Sequence, residues 1–182
     1  MSKAVTYVLV LAFLVGKAAF VRADVVEQTF QFDCDVPPGK VSEWNGTVPP
    51  AMTQVSGRIQ LIEARHDERW LPSASVRVVQ AEEKIGLRLY VTPDAPQVLQ
   101  VELLRPGSKN QNDRGLLTTV PADTHSVAFT LSATAAGDIR VTIGGKDASL
   151  AATHFRAQKI SLSCSTGEFK FVDVSVKSNV GK

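Results

Sequence analysis

Cys34 and Cys164 are the only cysteines in this 182-residue sequence, and each sits in phase with an alternating apolar run. Phe30, Phe32 and Cys34 share one parity near the start; Ile160, Leu162 and Cys164 share one near the end. Alternation with a period of two marks a strand with one buried face. Both thiols are therefore expected on inward faces, joined as one disulfide between the first strand and one of the last. Closing a loop of about 130 residues removes enough unfolded-chain entropy to stabilise by about 4–5 kcal/mol.

A disulfide implies an oxidising compartment. The N-terminus agrees: Lys3 precedes an apolar run from Ala4 to Val15, and Val21-Arg22-Ala23 fits a small-residue cleavage site. That is the layout of a secretory signal peptide over residues 1–23, with cleavage after Ala18 as the alternative. The run is shorter than the roughly 20 residues a membrane-spanning helix needs, so no integral membrane segment is expected after cleavage. The protein is expected to be secreted or periplasmic. Lys3, Lys17 and Arg22 would leave with the leader, lowering the formal charge from +2 by three. No basic run is interleaved with aromatics, so nucleic acid is not an expected partner.

The rest reads as about ten short strands. Val36-Pro37-Pro38-Gly39 is expected to end the first, and Lys40–Ala51 to be an irregular crossing loop containing Trp44. Strands follow over Val55–Ala64, Ser75–Gln80, Ile85–Thr92, Val98–Leu104 and Leu116–Val120, then around Phe129 and Val141. Gly144-Gly145 predicts a hairpin. Ser165-Thr166-Gly167 is expected to turn the chain into a last strand, Glu168–Val176. There Phe169 and Phe171 keep one phase while Val172, Val174 and Val176 take the other, as a β-bulge produces. Residues 177–182 are expected to fray. The fold class is an all-β, two-sheet antiparallel sandwich or jelly roll spanning residues 24–176.

The segments Thr124–Leu131, Asp138–Asp147 and Phe169–Val176 together resemble the second half of a laminin-G or concanavalin A-like jelly roll. The likeness lies in a histidine-hydrophobic strand, a strand ending in a glycine hairpin, and a closing Phe-x-x-Asp-Val strand. Phe30–Asp33 suits the same pattern; Thr124 stands where the family usually has tryptophan. The resemblance implies a fold shared by lectins, carbohydrate-binding modules, protein-binding modules and glycan hydrolases and lyases. Fold alone does not choose among them.

Glycan hydrolases need two carboxyls across the scissile bond. The alternating Glu-x-Asp-x-Glu of the superfamily's glucanases is missing, and Glu63, Asp67 and Glu68 are the nearest substitutes. No serine elbow or spare cysteine supplies a nucleophile. His66, His125 and His154 show no zinc spacing. Asp33 and Asp35, with Asp173, are candidates for a structural calcium; otherwise no cofactor is expected. Trp44 and Trp70 in loops, and Arg88 and Tyr90 on the polar face of one strand, are the candidate ligand contacts. Asn110–Arg114 forms a polar loop, and Asn45-Gly46-Thr47 a glycosylation sequon. The expected function is a non-catalytic binding module for a glycan or a protein partner. The alternatives are a divergent polysaccharide hydrolase or lyase, and a structural envelope or assembly protein.

Overall fold

A computed structural model describes residues 24–48, 52–81, 83–104, 115–123, 126–133, 138–150 and 157–180. The leader expectation, the Asn110–Arg114 loop, His125 and His154 lie outside the described residues. The strands are β1 (Asp24–Thr47), β2 (Met52–Ala64), β3 (Ser73–Gln80), β4 (Glu83–Thr92), β5 (Ala95–Leu104), β6 (Gly115–Pro121), β7 (Val127–Ala133), β8 (Ile139–Ile143), β9 (Lys146–Leu150) and β10 (Lys159–Val180). Every pairing among them is antiparallel. The described residues contain no helix long and apolar enough to cross a membrane.

The two longest strands organise the sandwich, because each contributes to both sheets. The first half of β10, Lys159–Ser165, pairs β3 on one side and the second half of β1 on the other. The front sheet thus runs β6-β5-β4-β3-β10-β1. The second half of β10 pairs β2 and the first half of β1, so the back sheet runs β1-β10-β2-β7-β8-β9. The far edges of the two sheets also approach: a Cβ on Gly144, in the β8–β9 turn, would lie 3.0 Å from Val120 of β6. Between the layers lie Val76, Leu87, Leu89 and Val101 from the front and Val55, Ile59, Phe129, Val141 and Phe171 from the back, all buried.

Two expected turns are bends instead. Pro37-Pro38-Gly39 does not end β1; the register shifts between Val36 and Val41 and the strand continues to Thr47. The prolines are tolerated because β1 pairs only β10 among the described strands, so their missing N–H groups break no central ladder. Nor does Ser165-Thr166-Gly167 reverse the chain. β10 passes through it with Thr166 in the left-handed region (φ 52°). Opposite, Gly39 is also left-handed (φ 71°) and its N–H donates to Thr166 Oγ1 at 3.3 Å. The strands bend together, and Trp44 belongs to a strand rather than to a crossing loop.

The Cys34–Cys164 disulfide forms at this bend, with 6.1 Å between the Cα atoms. Cys34 lies in the back-sheet half of β1 and Cys164 in the front-sheet half of β10, so the bond ties one layer to the other. Arg65 fastens the same corner, with its guanidinium donating to Asp35, Glu63 and the Val36 carbonyl. Its bonds to Glu63 and then Asp35 hold its pKa above the usual arginine value. The phase slip in β10 is a bulge: Asp173 has φ 51°, and the register against β2 shifts between Val172 and Ser175. β10 runs on to Val180 with Ser178 buried, so the segment expected to fray is largely strand.

Candidate functional site

The outward face of the front sheet carries a groove of about 790 Å³, within the usual range of ligand pockets. Register orders the outward face in which it lies. One row across the strands reads Val41, Ser165, Ser73, Tyr90 and Gln100. The next reads Glu43, Ser163, Ser75, Arg88 and Glu102, and a third Asn45, Ser161, Arg77, Gly86 and Leu104. The depth comes from side-chain size. β10 and β3 place apolar residues inward and serine outward, so the floor is low beneath longer neighbours. Gly86 is required by the packing of β4 on β3, since a Cβ there would stand 2.0 Å from the Val76 carbonyl oxygen.

The floor serines are buried and must find partners. Ser75 and Ser163 share a hydrogen bond of 2.7 Å, and Ser161 donates to Glu43. Arg88 Nη2 donates to Ser73 Oγ at 3.2 Å, and Ser73 and Ser165 share a bond of 2.9 Å. Ser165 in turn donates to the Leu71 carbonyl at 2.9 Å. This relay leads from a groove arginine to the loop that carries Trp70. Arg88 also lies 5.2 Å from the centroid of the Tyr90 ring and 4.0 Å from Glu102 Oε2. The Tyr90 hydroxyl donates to Gln100 Oε1 at 2.7 Å.

Three of the four residues expected to contact a ligand therefore line one groove: Arg88 and Tyr90 on its floor, Trp70 on its rim with 44% exposure. Trp44 lies elsewhere. It pairs with Leu162, on the core-facing parity of β1, and its ring packs 4.5 Å from that of Phe30. Ser73, Ser75, Ser163, Ser165, Arg77 and Glu102 also line the groove, and sequence reasoning does not pick them out. The only signal for the serines is their alternation with apolar residues in β3 and β10.

None of the candidate acids Glu63, Asp67 and Glu68 lines the groove. Glu63 accepts from Arg65. Asp67 Oδ1 accepts from the backbone N–H groups of Arg69 and Trp70 at 2.9 and 3.0 Å. Asp67 is thus a loop cap, and Glu68 is exposed. Among the described residues, Asp33, Asp35 and Asp173 do not form a cluster that could hold a metal ion; Asp35 pairs with Arg65 and Asp173 with Arg58. Replacing Asp67 by alanine is expected to cost about 1 kcal/mol and to free the Trp70 ring. Fluorescence anisotropy in a Trp44→Phe background would fall if so, and unchanged anisotropy would remove the capping role.

No protein-family model and no curated protein matches the chain. Solved structures do. A legume lectin-like domain from Entamoeba histolytica aligns at 10% identity and TM-score 0.52, covering 87% of this chain and 90% of that one. The CBM2 module of an evolved Dit protein from Lactobacillus casei BL23 phage J-1 aligns at 10% identity and TM-score 0.51, covering 77% of this chain and 70% of the other. An alginate lyase from Pseudomonas aeruginosa aligns at 12% identity and TM-score 0.52, covering 71% of this chain and 65% of the lyase. This chain therefore spans just under two thirds of the lyase's length. At these identities the likeness is one of architecture alone, and it agrees with the expectation from Thr124–Leu131, Asp138–Asp147 and Phe169–Val176: the chain shares the antiparallel β-sandwich fold of these proteins.

Proposed function

We propose that this protein is a glycan-binding module working in the periplasm or outside the cell, with the front-sheet groove as its site. The observation that carries the reading is the pairing of an exposed indole on the rim with a floor of serine, arginine, tyrosine and glutamate. A sugar offers an apolar ring face and a fringe of hydroxyls. Trp70 suits the first, while Arg88, Glu102 and the Tyr90–Gln100 pair suit the second. A lectin-like domain among the structural neighbours supports the same reading.

Binding is favoured over hydrolysis by the placement of carboxylates. On the groove row, Glu43 and Glu102 are four strand spacings apart, about 19 Å. Hydrolases hold their two carboxyls roughly 5–9.5 Å apart. Among the described residues the groove lining contains one carboxylate, Glu102. A structural role through an apolar face has less support: among the described residues the exposed large apolar side chains are Val41 and Trp70, which share the groove, and Val26, Ile62 and Leu116, which sit on three different strands.

Affinity electrophoresis against a panel of neutral and charged polysaccharides tests the proposal. At least one polymer should retard the protein, and Trp70→Ala should weaken that binding by about tenfold, or about 1.4 kcal/mol. An empty panel, or retardation untouched by Trp70→Ala, would sink it. Release of reducing ends or of unsaturated uronate during the assay would favour the enzymatic alternative.

A further inference from the structure

Electrostatics sharpens the ligand class. The charged residues lining the groove are Arg69, Arg77, Arg88 and Glu102, three cations against one anion. The excess is local, since the whole sequence balances 20 Lys and Arg against 18 Asp and Glu. The cations also have different duties. Arg88 lies beside Glu102, donates to Ser73 and stands over the Tyr90 ring. Arg69 shares the rim with Trp70. Arg77 lines the groove from β3, with Ser161 on β10 and Gly86 on β4 as its register neighbours. Both neighbours are buried and do not line the groove, so across β10, β3 and β4 in that row Arg77 is the residue a ligand meets. Glu43, which accepts from Ser161 at the β1 end, biases a ligand's negative groups away from that end and toward Arg77.

A cleft with low-dielectric walls focuses such a field. A guanidinium is the side chain best matched to a carboxylate or an oxyanion ester, because its donors form a planar fork. Resting on the glycan reading above, we propose that the groove selects an acidic polysaccharide, bearing carboxylate or sulfate groups, and that Arg77 is the residue that reads the charge.

The test uses the full chain and matched polymers. Polygalacturonate is compared with its carboxyl-reduced form, and a sulfated galactan with its desulfated form, by calorimetry at low and moderate salt. The charged member of one pair should bind at least tenfold more tightly than its neutral counterpart, and which pair shows the preference identifies the anion. Arg77→Gln should abolish most of that preference and Arg77→Lys should keep part of it. Arg140→Gln, an exposed change of equal charge on the back sheet, should leave the preference intact. Equal affinity for charged and neutral members overturns the proposal while leaving glycan binding standing. So does a preference lost equally with Arg140→Gln. Failure to bind any of the four polymers overturns this proposal and, with an empty panel above, the glycan reading too. Should Arg77→Gln fail to fold, the Arg77→Lys variant and the salt dependence of the unmodified chain still decide.

Discussion

Replacing Cys34 and Cys164 together by alanine is expected to lower the free energy of unfolding by about 4–5 kcal/mol, a third or more of what an ordinary domain possesses. The sulfurs close a loop whose ends are 130 residues apart, so losing the bond returns a large number of conformations to the unfolded chain. The folded state loses less, because β1 and β10 remain paired along most of their lengths. The substitution should therefore shift the urea midpoint and leave few other marks on secondary structure. The denaturant slope should rise, since an uncrosslinked chain exposes more surface on unfolding. A change below about 1 kcal/mol would mean that the two long strands hold the sandwich without the bond. Cys164 also lies between Ser163 and Ser165 on the groove strand. Reducing the disulfide is accordingly expected to weaken ligand binding before it unfolds the protein.

The second large effect is expected at Arg88. Its side chain is 22% exposed and that of Glu102 15%, and Glu102 Oε2 accepts no hydrogen bond among the described residues. At 4.0 Å the ion pair is long, yet it sets a positive charge beside a carboxylate that is mostly shielded from water. Arg88→Ala removes that cation, breaks the bond to Ser73 and uncovers the Tyr90 ring. A loss of about 2–3 kcal/mol is expected, most of it from the stranded carboxylate. Arg88→Met with Glu102→Leu should be more stable than Arg88→Ala alone, because neither charge is left behind. Both variants should lose glycan binding. If the paired variant is no more stable than the single one, the packing of the arginine stem matters more than its charge.

Much of this molecule is legible along the chain. Phase alone assigns the cysteines to inward faces and puts Arg88 and Tyr90 together on an outward one. It also locates the β10 bulge, because a change of parity inside an apolar run requires an extra residue on one strand of the pair. The hairpin at Gly144-Gly145 follows from backbone freedom: both adopt positive φ, 54° and 76°. These features depend on a residue's own chemistry and its immediate neighbours.

The segments that bend where a turn is expected share a different cause. Pro37-Pro38-Gly39 and Ser165-Thr166-Gly167 contain the residues of a turn, and those residues permit a reversal and a bend alike. Which one occurs depends on whether a partner strand bends alongside, as β1 and β10 do for each other. Trp44 moves from loop to core for the same reason: once β1 continues, parity with Leu162 directs the indole toward Phe30. Asp67, an acid in a charged loop, is a cap because two N–H groups curl over it.

The layered β architecture, the disulfide and two of the groove residues can be read along the chain, since each is written in an alternation a few residues long. That outward serines of β3 and β10 form a floor, that Arg77 and Glu102 line the same groove, and that Trp70 stands at its edge emerge once the strands are assembled. Strand order sets those neighbours, and strand order is a matter of pairing between segments up to 130 residues apart rather than of any local pattern.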